Sequence, residues 1–369
     1  MAGISGEMPA KLQFWMFFMS QYYIRRALYI IPTLFMVILV TFIIMHAAPG
    51  GPWDIDPSSR MSDPRVQERL NRVYGLDKPL FFNLEAAQRA MTDGKGPPEV
   101  IGAFFDAQFE VFIGNLVQGK FGPSFRFRGR NVEDIFFESP PEREFWQNRF
   151  TMTAVLGIVS LGMAIFIGFP LGLIAALKQN TWVDTFSLFF ATFFYGIPNF
   201  VLGIFLIIIF AVWLGWIRVV EIDYWESWRA WVLPAFVLAV PTAAFLARLT
   251  RSSVLEVMRM DYVRTARAKG LAERAVIMRH IVKNSLIPVV TFLGPALAGL
   301  ITGSFIIETQ FSVTGIGRLY VESISRRDYS MILALTLIYA FFVALMNLIV
   351  DVVYAFLDPR IKLGRSGGS

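Results

Sequence analysis

Long apolar runs dominate the pattern of hydrophobic and polar positions along this chain. Six of them are long enough, as helices, to cross roughly 30 Å of hydrocarbon. They lie at about residues 27–47, 152–177, 193–214, 231–249, 286–307 and 331–357. The pattern therefore predicts an all-α integral membrane protein with six transmembrane helices.

Lysine and arginine residues are in excess on one side of these runs, whereas the segment at 214–230 sets three acids against Arg218 and Arg229. Arg25 and Arg26 precede the first run, and Lys178 follows the second. The largest group follows the fourth run, where residues 248–283 hold nine Lys or Arg against three acids. The cations after the fourth and sixth runs are Arg248, Arg251, Arg259, Arg264, Arg267, Lys269, Arg274, Arg279, Lys283, Arg360, Lys362 and Arg365. Because cytoplasmic loops carry an excess of Lys and Arg, we expect this side and both chain ends to be cytoplasmic.

The predicted topology divides the chain into five segments. They are a cytoplasmic or interfacial N-terminal segment (1–26), the first transmembrane helix (27–47), an extracytoplasmic domain (48–151), a transmembrane core of helices two to six with a cytoplasmic loop at 250–285 (152–357), and a cytoplasmic tail (358–369). The apolar stretch 14–19 is too short to span, so we expect an interfacial helix there. In the extracytoplasmic domain, Ser62-Asp63-Pro64 before an apolar periodicity closed by Gly75 predicts a capped amphipathic helix.

Composition narrows the class of protein. The chain has 369 residues, is 55% hydrophobic and has a mean hydropathy of +0.54, which excludes an ordinary soluble domain. Its net charge is +6, but the cations cluster beside apolar runs, so we attribute the charge to topology and expect no nucleic-acid partner. There is no cysteine, and His46 and His280 are the only histidines, which excludes disulfides and a histidine metal cluster.

The basic loop has a helical pattern interrupted by one glycine. Helical composition precedes Gly270, and an amphipathic pattern resumes at 271–284. Since glycine readily adopts a left-handed turn, the pattern predicts two short helices meeting at an elbow. Two interpretations are open: a loop that serves only to set topology, or a docking element for a partner. The apolar face favours the docking element, because topology alone needs no amphipathic helix.

The motifs around this glycine resemble the coupling loop of permeases from oligopeptide and dipeptide ABC importers. The loop contains Tyr262-Val-Arg-Thr-Ala-Arg-Ala-Lys-Gly270, then Arg279-His280 and Asn284-Ser-Leu-Ile-Pro288. Arg264 and Thr265 replace the Glu-Ala of the general importer signature, as is typical of the peptide branch. The resemblance extends, in order, through Ile31-Pro32-Thr33, Ala48-Pro-Gly-Gly-Pro52, Tyr74-Gly-Leu-Asp-Lys-Pro79, Gly119-Lys-Phe-Gly122, Ser124-Phe-Arg126, Ile197-Pro-Asn-Phe200, Ala247-Arg-Leu-Thr-Arg251, Arg327-Asp-Tyr329 and Asn347 to Asp358-Pro-Arg360.

This resemblance implies a type I ABC importer permease fold, whose loop inserts into a cytoplasmic ATPase. The implied ATPase-coupling residues are Tyr262, Thr265, Ala266, Ala268, Lys269, Gly270, Leu271 and Arg279. The implied gating and pathway candidates are Glu308, Phe311, Gly315 and Gly317. The implied partners are a second homologous permease, two ATP-binding subunits, an extracytoplasmic substrate-binding protein and the lipid of the cytoplasmic membrane. The cargo stays open among peptides, nickel, oligosaccharides and other solutes.

ATP and magnesium are expected on the partner subunits, with no cofactor and no enzymatic activity on this chain. Residues 114–120 match a phosphate-binding loop until Phe121, where a Ser or Thr is needed to hold magnesium, and they lie on the predicted outer side. We therefore expect no ATP site there.

Polar and small residues within the apolar runs suggest packing and one alternative function. Asn347 and Asp351 share a helix face as a structural polar pair, in which Asp351 is expected to pair with a basic residue of the elbow loop; the alternative is that Asp351 is the proton site of a secondary transporter. An intramembrane hydrolase lacks a convincing nucleophile and base. The small pairs Gly168/Gly172 and Gly299/Gly303 predict close helix packing, and Pro170, Pro198, Pro241 and Pro288 predict bends that line a cavity.

Overall fold

The computed structural model describes residues 10–53, 64–137, 139, 143–216, 224–302 and 304–357, with the backbone alone at 10–24, 302 and 352–357. This part of the chain is helical, and the predicted all-α fold is confirmed. The predicted tail, the capping residues Ser62 and Asp63, and Gly303 lie outside the described residues.

Sixteen α-helices and two π-helical stretches make up the described chain. The α-helices are α1 (Ala10–Ala47), α2 (Pro64–Tyr74), α3 (Leu84–Thr92), α4 (Pro97–Phe104), α5 (Gln108–Val117), α6 (Val132–Phe137), α7 (Arg149–Leu177), α8 (Trp182–Gly196), α9 (Asn199–Ile207), α10 (Trp228–Met258), α11 (Asp261–Ala268), α12 (Glu273–Ala275), α13 (Lys283–Thr302), α14 (Phe305–Gln310), α15 (Ile316–Ser325) and α16 (Tyr329–Leu357). The π-helical stretches are Ile208–Trp213 after α9 and Val276–Val282 between α12 and α13.

Five of the described helices are long and apolar enough to cross a membrane, and the number rises to seven if each of two bent helix pairs forms one span. The predicted third span falls on one such pair, α8 with α9 and its π-helical continuation, bent by 97°. The bend lies at Ile197 and Pro198, because proline favours a helix boundary before it. The backbone of α1 runs unbroken from Ala10, so the predicted interfacial helix at 14–19 is part of α1 and not a separate element.

The chain divides into two compact units. The first comprises residues 1–36, 155–311 and 339–369, and the second comprises 37–154 and 312–338. The division falls within α1, α7 and α16. Each unit has its own core.

Close contact between α7 and α10 organises the first unit. A Cβ atom added at Gly168 would lie 2.5 Å from the Ala243 carbonyl oxygen, and one at Gly172 would meet the carbonyl of Ala247. Glycines four residues apart thus face alanines four residues apart, which lets the two backbones approach. The packing predicted for Gly168 and Gly172 is confirmed. Gly168 faces Ala243 and Gly172 faces Ala247, so residue numbers increase in the same direction along both helices and α7 and α10 run parallel. The predicted topology has the same orientation for these two helices.

A buried carboxylate organises the second unit. Asp328 is 1% exposed and precedes α16, where it caps the helix by accepting the amide of Met331 at 3.3 Å. The same carboxylate accepts the Ser124 hydroxyl at 2.5 Å and the amides of Phe125 and Arg126 at 3.2 Å each. Two motifs about two hundred residues apart in the chain are therefore joined by charge-assisted hydrogen bonds.

Candidate functional site

The basic loop folds as the predicted elbow at Gly270. Helix α11 ends in a left-handed turn with a φ of +74° at this glycine. The backbone amide of Gly270 donates to the carbonyl of Arg267 at 2.9 Å, and the backbone amide of Leu271 donates to the carbonyl of Ala266 at 3.4 Å. This pair of bonds is a Schellman motif, which favours glycine because other residues pay a steric cost at positive φ.

The base of the elbow is buried against neighbouring helices. Val263 and Ala266 of α11 pack with Val276 and Ile281 of the π-helical stretch. This cluster also contains Ala176 of α7 together with Val254 and Val257 of α10. Of the residues expected to couple to an ATPase, Ala266 is therefore placed in the core, at 5% exposed, where it supports the elbow.

Polar contacts brace the two arms of the elbow. The guanidinium of Arg267 donates to both carboxylate oxygens of Glu273, at 2.7 and 3.1 Å. This hydrogen bonding raises the pKa of Arg267 above its ordinary value. Partial desolvation of the Tyr262 hydroxyl raises its pKa, while its interaction with Asn284 lowers it in part. The arms are thus tied at the tip by an ion pair.

The remaining predicted coupling residues lie on the exposed surface of the elbow. They are Tyr262, Thr265, Ala268, Lys269, Gly270, Leu271 and Arg279. Tyr262 and Leu271 are 43% and 45% exposed, so the surface combines apolar side chains with cations. Such a surface suits a groove with an apolar floor and acidic edges.

A buried ion pair on the turn of α10 that leads to the elbow was missed by sequence reasoning. The guanidinium of Arg251 donates to both oxygens of Asp184, at 2.6 and 2.7 Å. Asp184 lies in the first turn of α8, is 3% exposed and also accepts the amide of Asn180 at 3.0 Å. An acid at the edge of an apolar helix was the available signal, because such a charge is buried only when it is paired.

The predicted gating residues fall into both units and are described within each. In the first unit, Glu308 is fully buried and accepts the Ser304 hydroxyl at 2.6 Å. The carbonyl of Phe311 accepts the Tyr224 hydroxyl at 2.6 Å. In the second unit, Gly315 precedes α15 and Gly317 is buried in its first turn.

The polar residues of α16 include an ion pair. Asp351 pairs with Arg26 of α1, so its basic partner is not in the elbow loop, as the sequence had suggested, but at the start of the first predicted span. Asn347 lies one turn before Asp351 on the same helix. Two distant chain segments are thus connected by opposite charges.

A cavity of about 240 Å³ lies beside Pro241 in the first unit. Asn199 and Thr242 contribute polar groups to its lining, while Pro241 and Phe292 contribute apolar surface. Gly299 also lines it, and within the described chain no atom outside its own helix and its chain neighbours lies within 4 Å of where its Cβ would be. The close packing predicted for Gly299 is therefore not found within the described chain, and Pro241 lines the cavity from inside the unbroken helix α10.

Comparison with known proteins relates this chain to transport permeases. A family model described as the binding-protein-dependent transport system inner membrane component matches residues 168–363. The chain is 33% identical over 346 residues to the oligopeptide transport system permease protein OppB of Haemophilus influenzae, covering 93% of the chain and 100% of that relative. It is 35% identical over 349 residues to the dipeptide transport system permease protein DppB of Bacillus subtilis, covering 95% of the chain and 100% of that relative.

Further similarities are to a glutathione permease and to two solved transporters. The chain is 37% identical over 344 residues to the glutathione transport system permease protein GsiC of Shigella flexneri, covering 93% of the chain and 99% of that relative. A chain of the inward-facing MetNI methionine ABC transporter is 17% identical with a TM-score of 0.47, covering 56% of this chain and 93% of that one. A chain of an amino acid ABC transporter with histidines is 15% identical with a TM-score of 0.45, covering 56% of this chain and 92% of that one.

Proposed function

Because the chain belongs to the family of binding-protein-dependent transport system inner membrane components, in its oligopeptide and dipeptide branch, we propose that it moves peptides across the cytoplasmic membrane by coupling to partner ATPases. It is a multi-pass inner-membrane permease subunit of an ABC importer and not an enzyme. Oligopeptides, dipeptides and glutathione, for which its relatives are named, share peptide bonds and terminal charges. Short peptides are therefore the proposed cargo.

The elbow at Gly270 carries the coupling proposal. Its tip exposes cations and apolar side chains, while its base is part of a buried core. Since a packed base resists local deformation, a force applied to the tip moves the attached helices as a unit. The elbow leads directly from α10 and, through the π-helical stretch, into α13. A partner that grips the tip can therefore tilt two helices of the membrane core.

The proposed cycle is alternating access driven by ATPase closure. Two ATP-binding subunits grip the elbows of this chain and of a second, homologous permease, and an extracytoplasmic binding protein delivers the cargo. ATP and magnesium are bound by those subunits. The subunits must bind the inward-facing and outward-facing states with different free energy, because equal affinity for both states shifts no population. In the membrane core, the cavity lined by Asn199 and Thr242 is the proposed part of the pathway.

Substitution Gly270→Val tests this function in proteoliposomes containing the whole transporter. A β-branched residue disfavours the left-handed turn by at least about 1–2 kcal/mol and distorts the elbow tip. We expect ATP hydrolysis to continue while peptide uptake per ATP falls severalfold. Uptake of labelled peptide and phosphate release are measured on the same vesicles.

Gly94→Val provides the matched control. Gly94 closes α3 with a φ of +71° and with the same two backbone bonds, from Gly94 to Met91 and from Lys95 to Ala90. This substitution imposes the same backbone cost away from the elbow, so uptake per ATP should be unchanged. If Gly270→Val also leaves both rates unchanged, the coupling role of the elbow is wrong.

A further inference from the structure

A second cavity, of about 340 Å³, lies entirely within the second unit. It is lined by α1, α2, α5, residues 121–125 and the first turns of α16. Its volume is in the range of small-molecule sites, about 300–1,000 Å³. None of its described lining residues belongs to the elbow or to the cavity that Pro241 lines. The coupling function leaves this cavity without a role.

Aromatic rings form much of the cavity wall. Phe42, Phe112, Phe125 and Tyr329 line it, and they belong to the apolar core of the second unit. The rings of Phe125 and Tyr329 lie 5.8 Å apart in a tilted arrangement. Aromatic walls of this kind favour a ligand with an apolar body, because they offer large, rigid contact surface.

Hydrogen bonds of the Gln108 side chain hold one side of the cavity in place. The amide nitrogen of Gln108 donates to the carbonyls of Leu76 and Lys78, at 3.2 and 2.6 Å. The amide oxygen of Gln108 therefore faces the His46 ring, whose Nε2 lies 3.2 Å away, while Nδ1 lies 2.9 Å from the Phe42 carbonyl. The Gln108 amide nitrogen is thus bonded to two carbonyls, which holds this side of the cavity in place.

Three other polar side chains of the lining are available to bind a ligand. Within the part of the chain that the structure describes, the guanidinium of Arg72, the amide of Asn115 and the hydroxyl of Ser330 take part in no intramolecular hydrogen bond or ion pair. The ammonium of Lys78 is already paired with Asp106 at 2.5 Å. No Asp or Glu is among the described lining residues. The cavity therefore offers an available cation and two available hydrogen-bonding groups.

We propose that this cavity binds a small organic anion, a carboxylate carried on an apolar body. Arg72 would hold the carboxylate through its two-pronged guanidinium, which matches carboxylate geometry. Asn115 and Ser330 would complete the hydrogen bonds, and the aromatic wall would cover the body. The carboxylate could be the C-terminus of a short peptide or the head of a fatty acid, since both share this chemistry.

Calorimetric titration of the full-length chain, in nanodiscs with its co-purifying subunits and without nucleotide, tests the proposal. The probes are N-acetylphenylalanine and octanoate, each paired with its neutral amide, and empty nanodiscs give the background. We expect at least one carboxylate to bind at least tenfold more tightly than its amide. The pair that shows the larger difference identifies a peptide-like or an acyl body. Because no ATP is present, the result does not depend on coupling.

Arg72→Gln should weaken carboxylate binding at least tenfold, because it removes the cation and keeps a polar side chain. Arg69→Gln is the matched control, since Arg69 is exposed on the same helix and does not line the cavity. Asn115→Leu, expected to weaken binding severalfold, is a second test if Arg72→Gln lowers stability. Absence of carboxylate binding, equal binding of acid and amide, or full binding by Arg72→Gln would each overturn the proposal.

Discussion

At the scale of single residues, the pair between Arg26 and Asp351 favours one of two functions. An ionised side chain within a membrane is costly, and pairing offsets part of that cost. Asp351 is 17% exposed and Arg26 is 43% exposed, so the carboxylate is the more buried member. The pair connects α1 to α16. A carboxylate with a fixed cationic partner favours a structural role over that of a proton carrier.

Matched substitutions at this pair separate the structural role from proton transport. Asp351→Asn and Arg26→Gln each break the same contact. If the pair is structural, both should lower the thermal stability of the complex, Arg26→Gln by more because it leaves the more buried carboxylate unpaired, and ATP-driven peptide uptake should persist. The readout is uptake by proteoliposomes supplied with either ATP or a pH gradient alone. Uptake driven by the gradient and abolished only by Asp351→Asn would support the secondary-transporter alternative instead.

The ion pair between Asp184 and Arg251 also offsets the cost of a buried charge, at the turn of α10 that leads to the elbow. Both carboxylate oxygens accept from the guanidinium, and burial makes the loss of either partner costly. Helix α8 is thereby attached to the turn of α10 that leads to the elbow. Movement of the elbow is expected to reach α8 through this contact.

At the scale of elements, the contact between α7 and α10 is tight enough to exclude any side chain. A Cβ at Gly172 would lie 2.8 Å from the Thr250 Cβ as well as against the Ala247 carbonyl. The backbones therefore approach as closely as glycine and alanine permit. Membrane helices associate largely through such packing, since lipid gives little hydrophobic drive between helices.

Gly172→Leu should destabilise the complex by about 1–3 kcal/mol, the usual cost of overpacking. Gly162→Leu is its control, because Gly162 lies on the same helix and, within the described chain, has no atom beyond its own helix and chain neighbours within 4 Å of a Cβ position. The thermal unfolding midpoint of the purified complex gives the comparison. Equal midpoints for the two variants would contradict the packing role of Gly172.

Left-handed glycines at helix ends illustrate how far local sequence predicts elements. Gly75 was predicted to close an amphipathic helix, and α2 ends at Tyr74 with Gly75 at a φ of +69°. Gly270 was predicted to form the elbow, and it does. Both predictions succeeded because a single glycine after a helical pattern determines the turn locally.

At the scale of the whole molecule, the proposed function requires other chains. The described chain has one elbow, whereas the proposed cycle uses two, together with two ATP-binding subunits. In the proposed cycle this chain and a second permease each enclose part of the pathway, and one part alone does not seal a polar cargo from lipid. The chain is therefore expected to work only within an assembly.

Purification of the tagged chain from its native membrane should recover a second permease and two ATP-binding subunits per complex. Native mass spectrometry gives the stoichiometry. The Gly270→Val variant, purified alongside, shows whether the elbow also contributes to assembly, through a lower yield of ATP-binding subunits. A stable complex that transports peptide and lacks any ATPase would refute the importer function.

The sequence by itself determined the all-α membrane class, the elbow at Gly270 and the family, because long apolar runs, helix-end glycines and ordered motifs act through local chemistry. It also indicated that Gly168 and Gly172 pack closely. It did not identify the partner of Asp351, the pair of Asp184 with Arg251, or the burial of Ala266. Nor did it place Ser124 beside Asp328, or gather Arg72, Asn115 and Ser330 around one cavity. Only the tertiary structure decided these, because each depends on contacts between segments distant in the chain, which helical periodicity does not encode.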